Sequence, residues 1–334
     1  MTRKQQKSGK LFFLAAIGVF VLVLQILPLS AEKIPADKVR ISTPVYAPAD
    51  SFNPLLGRYS YSVSWNGIPA GSVELALDRN GDDYEIKTSA RTAKGIDYLF
   101  KLRYESDTVL AADTLKPKHS ISVTRTNSKK KVTEVEFLPD GEIQSVSEDQ
   151  RGRVTTLKFD PDNFTLDPYS VGFLAMSQEW KVGESRRFDM FSGKSRYLIE
   201  FTAVERTEIT VNGALRQAIV LCPSVKKLTD TGKDSNDKKM RAARIYISAD
   251  QSREILKISS DLLIGSVDTV MVGFSPTPNP ALTAKNQNKI SAIDMKDRPL
   301  HSVVAANFFS PAGFSMILRR NPRYQMIWGG PIAA

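Results

Sequence analysis

Cysteine is nearly absent from this chain of 334 residues, with Cys222 the only one. A single thiol excludes an intramolecular disulfide, so the fold must rest on its hydrophobic core. It also argues against lipoprotein processing, which needs a cysteine at the cleavage point. Cys222 falls in the apolar run Ala218–Cys222, which suits a buried, inert thiol better than a reactive one. Histidine is almost as scarce. His119 begins a strand-like run and His301 lies near the C-terminus, so a histidine-based zinc site or a Ser-His-Asp relay has almost no material. No glycine-rich phosphate loop, nucleotide fingerprint or Gly-x-Ser-x-Gly elbow is present. Asp160-Pro-Asp-Asn163 lacks the glycine and distal glutamate of a calcium loop and reads as a turn with a helix cap. These absences point to a protein with no enzymatic activity and no cofactor.

A long hydrophobic run occurs once before the C-terminal region. Arg3, Lys4, Lys7 and Lys10 precede the 14 apolar residues Leu11–Leu24, and Pro28 and Ala31 follow. A basic segment, an apolar core of roughly 7–15 residues and a small residue at the end form the pattern of an export signal. A membrane-spanning helix needs about 20 apolar residues. Residues 11–29 reach that length only by including Gln25 and Pro28. The pattern favours cleavage after Ala31 over an uncleaved inner-membrane anchor. Either outcome makes the remainder periplasmic, with membrane contact only through residues 11–29 if the signal is retained.

The formal charge is +10, from 46 Lys and Arg against 36 Asp and Glu. Its distribution removes the nucleic-acid reading. The export segment holds four cations and no acids, and residues 276–334 hold seven cations against Asp294 and Asp297. That leaves 35 cations and 34 acids in residues 32–275. A neutral domain with basic ends is not a nucleic-acid footprint.

Residues 32–54 contain Pro35, Pro44, Pro48 and Pro54 and read as a linker. From 55 to 275 the apolar period is two. Tyr59, Tyr61, Val63 and Trp65 alternate with polar residues, and Asn66-Gly67, Asn80-Gly81 and Asn212-Gly213 mark hairpin turns. About fourteen strands are expected, with 197–205 and 208–211 read as separate. One helix interrupts them, over Tyr169–Trp180, with Asp167 as N-cap, Pro168 at its first position and Val171, Leu174, Ala175 and Met176 on its apolar face. The expected fold is all-β: a curled antiparallel sheet forming a closed or partly open barrel, or a sandwich, with the helix lying across it or plugging an open end. Residues 276–334 lack periodicity and read as a basic, disordered tail.

Several phrases stand in a set order: Tyr61–Gly71, Asp167–Leu174, Trp180–Glu184, the strand around Tyr197, Val211–Leu215, Ile245–Asp250, Arg253 and Gly265–Val267. In that order they resemble the bacterial exported family called domain of unknown function 3108. The resemblance covers about residues 55–275. It implies an exported, β-rich domain and brings no established activity, cofactor or catalytic residue. Gly71, Asp250, Arg253 and Gly265 are the structural positions it suggests, with Asp250 able to cap a turn and pair with Arg253 across it.

Three sets of residues could serve function. Tyr59, Tyr61, Trp65, Tyr84, Phe100 and Tyr104 would line an apolar cavity if the sheet curls without closing tightly; the alternative is that they fill the core. Lys129, Lys130 and Lys131 at one hairpin, and Lys238, Lys239 and Arg241 near another, could contact anionic head groups or an acidic partner; the alternative is a solvated tip that keeps strand edges soluble. Glu134 with Glu136, or Glu105 with Asp107, could form an acid–base pair, although same-face carboxylates are usually solvated. The leading expectation is a non-enzymatic cell-envelope protein that binds a lipid, an acyl chain or a protein partner in the periplasm. The alternatives are an envelope hydrolase using paired carboxylates and a structural or assembly factor of the envelope.

Overall fold

The computed structural model describes residues 43–149, 151–158, 165–228, 243–261 and 265–277. The export segment, residues 278–334, the loop 229–242 with Lys238, Lys239 and Arg241, and Asp160–Asn163 lie outside the described residues.

Alternating side chains and turn residues build an antiparallel meander. Its first half is β1 (Gly57–Trp65), β2 (Ile68–Asn80), β3 (Asp83–Thr92), helix α1 (Lys94–Asp97), β4 (Leu102–Ala111), β5 (Pro117–Thr126), β6 (Lys129–Phe137), β7 (Ile143–Asp149) and β8 (Val154–Lys158). Helix α2 (Pro168–Ser177) follows. The second half is β9 (Ser185–Phe191), β10 (Arg196–Val211), β11 (Ala214–Lys227), β12 (Ala243–Ser248), β13 (Ile255–Asp261) and β14 (Ser266–Pro276). All fourteen strands form one sheet in the order β8-β7-β6-β5-β4-β3-β2-β1-β14-β13-β12-β11-β10-β9.

One pairing joins strands distant in sequence: β1 runs antiparallel to β14, with Tyr59 opposite Phe274 and Val63 opposite Thr269. The two edge strands, β8 and β9, are therefore neighbours in sequence but share no ladder, and the chain between them carries α2. The sheet is curled and open, with a seam where a closed barrel would pair β8 with β9. Just ahead of α2, Leu166 caps the end of the β9 edge. Leu166 forms a parallel bridge with Met190, donating its N–H to the Asp189 carbonyl at 3.0 Å and accepting from the Phe191 N–H at 2.8 Å. Covered edges resist unwanted pairing.

Helix α2 begins as its sequence predicts. Asp167 is extended, and its carboxylate accepts the Ser170 N–H at 2.7 Å, with Pro168 at the first position, where no N–H is needed. It differs in having no solvent face, since every residue from Tyr169 to Ser177 is buried. A helix apolar all round belongs inside a core. Around it lies the main apolar cluster, which includes Tyr59, Tyr61, Phe188, Phe201, Ile219 and Ile247. Trp180 closes the C-terminal end, its indole N–H donating to the Ala175 carbonyl at 2.8 Å.

Three further differences have local causes. The two strands expected over 197–205 and 208–211 are one strand of 16 residues, β10. The break in alternation is a register shift between Ala203 and Glu205, a bulge that keeps the ladder going. Helix α1 has no counterpart in the sequence expectation; Asp97 at its end binds Arg103 at 2.5 Å, which holds its carboxyl down at about 2. Residues 43–54 contain no helix or strand, yet they pack on the domain. Tyr46 lies 4.7 Å from Phe188 between ring centroids, and the Gln178 amide donates to the Ala47 carbonyl at 2.8 Å.

Candidate functional site

Two assemblies of polar side chains arise from the strand register, one on each face of β3–β7. The first lines the inside. Thr88 of β3 stands opposite Ser106 of β4, Ser106 opposite Ser122 of β5, Ser122 opposite Thr133 of β6, and Thr133 opposite Ser147 of β7. Cross-strand partners share a face, so five hydroxyls form a row across five strands. A second row runs beside it through Thr108, Ser120, Val135 and Ser145. The inner face thus carries much of the main apolar cluster on the β9–β14 side and is rich in hydroxyls on the β4–β7 side.

The β9–β10 turn reaches across the seam onto this wall. Ser145 Oγ donates to the Gly193 carbonyl at 2.7 Å, and Phe191 packs with Val135 and Ile143. Between wall and turn lies a cavity of about 30 Å³, bordered by Tyr104, Ser106, Thr108, Asp167, Tyr169 and Gly193, among others. That volume holds a water or two, against roughly 300–1,000 Å³ for a small-molecule pocket. The Tyr169 hydroxyl lies 2.5 Å from Ser106 Oγ. Asp167 Oδ2 and Thr108 Oγ1 are buried without a protein partner. Burial pushes the Asp167 carboxyl up to about 6, against the pull of the Ser170 and Tyr169 N–H groups. Burial likewise pushes the Tyr104 hydroxyl well above its ordinary range, with Tyr169 adding to it.

Of the six aromatics expected to line a cavity, Tyr104 alone borders this space. Tyr59, Tyr61 and Tyr84 pack in the main cluster, while Phe100 and Trp65 pack with Tyr104 in a second cluster around Val63 and Leu102. Among the basic candidates, strand alternation divides the three lysines of β6. Lys130 pairs across the sheet with Arg125 on the outer face. Lys131 faces inward opposite Thr124, and burial, followed by the charge of Lys194, lowers its pKa. Lys129 is exposed at the strand end.

The second assembly lies on the outer face. His119 of β5 stands directly opposite Glu136 of β6, and Glu134 is two residues along the same strand. His119 Nε2 is 3.2 Å from Glu134 Oε1 and 3.5 Å from Glu136 Oε1. The carboxylates considered as acid–base pairs all lie on this outer face. Glu105 lies 3.5 Å from Arg125 and Asp107 lies 3.8 Å from Lys87.

The four positions suggested by resemblance have structural roles. A Cβ on Gly71 would lie 2.5 Å from the Arg91 carbonyl oxygen, and one on Gly265, which has φ +79°, would strike the Asn66 side chain. Asp250 accepts from Ser248 Oγ at 2.8 Å and the Ser252 N–H at 3.0 Å. Its ion-pair partner is Arg216 at 3.2 Å, in place of the expected Arg253, whose guanidinium donates to the Ala249 carbonyl at 3.0 Å. The Asp250 carboxylate is already taken by Ser248, Ser252 and Arg216, and Arg253 itself has φ +50°. Cys222 is half-buried, and burial raises its thiol pKa.

No curated protein matches the sequence. Among solved structures, a β-barrel-like protein of the family DUF1849 from Brucella abortus is similar at 11% identity and a TM-score of 0.48, over 68% of this chain and 100% of that one. A candidate lipoprotein from Parabacteroides distasonis (7% identity, TM-score 0.28, 67% and 98% covered) and a candidate exported protein with a YmcC-like fold from Bacteroides fragilis (8%, 0.27, 70% and 100%) are also similar. The model of a family described as protein of unknown function, DUF3108, matches residues 60–272, and the chain belongs to that family.

Proposed function

We propose that this protein is a non-enzymatic, exported envelope protein that acts by binding another protein along the β8 edge of its sheet. The observation that carries this reading is the unequal treatment of the two edges. The β9 edge is capped at Asp189–Phe191 by the Leu166 bridge, whereas β8 ends the sheet with no strand beyond it among the described residues. An open edge offers a row of backbone donors and acceptors to an added strand. Beside it the outer face carries exposed Val146 and Val154, which suit the alternate side chains of such a strand.

A lipid or acyl-chain cargo draws less support, because aromatic clusters pack the interior and the cavity beside the β9–β10 turn is small and bordered by hydroxyls. A carboxylate hydrolase also draws less, because Glu105, Asp107, Glu134 and Glu136 lie on an exposed face rather than in a cleft. The sequence of residues 1–31 supports export.

The test is a photo-crosslinking amino acid placed at Val154 and Val146 of the full chain in the cell that makes it, with Leu215 on the distant β10–β11 hairpin as control. Adducts to one protein from the first two positions and none from Leu215 support the reading. Adducts to lipid only, equal adducts from all three positions, or no adducts reject it.

A further inference from the structure

The geometry points to a divalent transition-metal site on the outer face of the sheet, formed by His119, Glu134 and Glu136. One imidazole and two carboxylates offer a ligand atom each, and these atoms all lie within 4.8 Å of one another. The two distances from His119 Nε2, 3.2 Å to Glu134 and 3.5 Å to Glu136, bracket the about 3.3 Å that separates donors on a tetrahedral ion with bonds of about 2.0–2.1 Å. The two carboxylates offer oxygens within 4.8 Å of each other as they stand, so a bound metal would draw these oxygens together around His119.

The scaffold supports the same conclusion. His119 and Glu136 are held opposite each other by the β5–β6 ladder. Glu134 points to the same face because it is two residues away on a strand. Neither carboxylate pairs with a lysine or arginine among the described residues, and His119 is the one cationic candidate beside them. Two acids two residues apart, with no lysine or arginine paired to them among the described residues, leave a site of charge −2 when the imidazole is neutral. A divalent ion balances that charge.

The chemistry of the donors selects the ion. An imidazole nitrogen disfavours Ca²⁺ and Mg²⁺, which prefer all-oxygen shells of six or more ligands. Nitrogen with two carboxylates suits Zn²⁺, and by the general order of affinities Cu²⁺ at least as well. Three protein ligands on an exposed sheet leave a fourth position open to water. The site does not rest on the binding reading above, although Glu134 stands opposite Val146 on the neighbouring strand.

The full chain, stripped with a chelator and titrated with ZnCl2 in a non-coordinating buffer, is expected to bind one equivalent by calorimetry. Co²⁺ in its place should give the visible bands of four-coordinate nitrogen–oxygen ligation. His119→Ala should weaken zinc binding at least tenfold and abolish the cobalt bands, Glu136→Gln should weaken it several-fold, and His301→Ala should leave it unchanged. The far-ultraviolet circular dichroism of each variant checks that the sheet is intact, and Glu136→Gln carries the test if His119→Ala does not fold. Zinc binding that survives both substitutions, no binding at 100-fold excess of metal, or equal binding of Mg²⁺ overturns the proposal.

Discussion

Ser145 Oγ on β7 hydrogen-bonds the Gly193 carbonyl of the β9–β10 turn at 2.7 Å, joining across the seam two strands that no ladder connects. Gly193 is required on two counts. It has φ +78°, and a Cβ there would lie 2.5 Å from Thr133 Cγ2.

Gly193→Ala is therefore expected to cost about 2–4 kcal/mol, combining left-handed strain with overpacking. Ser145→Ala, which removes one hydrogen bond and leaves a buried carbonyl unpaired, should cost about 1–3 kcal/mol. Urea unfolding of both variants measures this. A Gly193→Ala variant within about 0.5 kcal/mol of the parent, the scatter of an ordinary surface substitution, would mean that the turn does not seat on the wall.

Asp167 makes stability depend on pH. Burial raises its carboxyl from 3.8 to about 6 in the folded protein. Between pH 4 and pH 6 the unfolded chain releases this proton while the folded one retains it, so the unfolded state binds fewer protons and stability falls with rising pH. The loss is complete above the folded value and amounts to about 3 kcal/mol at about 1.4 kcal/mol per unit. Asparagine caps a helix as well as aspartate and cannot ionise. Asp167→Asn should equal the parent near pH 4 and exceed it in stability at pH 7–8. Equal stability of the two at both pH values would show that burial does not raise the Asp167 carboxyl.

The sequence made the alternation, the Asn-Gly hairpins and the Asp167 cap legible because each depends on residues close together in the chain. The β1–β14 closure was not legible, since any apolar strand could have partnered β1. The hydroxyl wall was hidden for a different reason. Ser120, Ser122 and Thr124 look like the solvated face of β5, with Ile121 and Val123 inside, yet the register places the hydroxyls inward. Tertiary packing reversed the binary pattern of that strand. The grouping of His119 with Glu134 and Glu136 is equally invisible in the sequence, because only the β5–β6 register brings them together.

The ion pair of Arg196 and Asp189 is wholly buried, with Arg196 Nη2 2.5 Å from Asp189 Oδ2 and both side chains fully covered. Thr165 Oγ1 donates to the same oxygen at 2.9 Å. Arg196→Met alone leaves a carboxylate without its counter-charge in the core and should cost about 3–5 kcal/mol. Asp189→Leu combined with Arg196→Met removes both charges and should cost less than Arg196→Met alone. A double variant whose loss equals the sum of the losses of Arg196→Met and Asp189→Leu alone would show that the charges do not interact. Guanidinium unfolding midpoints of the three variants decide.

Gly71 and Gly95 should respond to alanine in opposite directions. Gly71 lies on β2 opposite Val63, beside the register shift of β1. A Cβ there would come 2.5 Å from the Arg91 carbonyl oxygen and 3.4 Å from Thr92 Cα. These are backbone atoms of β3, which cannot swing aside, so the two strands would have to part where their ladder is continuous. Gly71→Ala is expected to cost about 1–3 kcal/mol. Gly95 sits in α1, where a Cβ would meet nothing within 4 Å, and alanine there should add about 0.4–1 kcal/mol by restricting the unfolded chain. Thermal unfolding of the pair tests both signs at once. A neutral Gly71→Ala would mean that β2 and β3 are farther apart than this close approach requires, and the glycine of the Tyr61–Gly71 phrase would then have no steric basis.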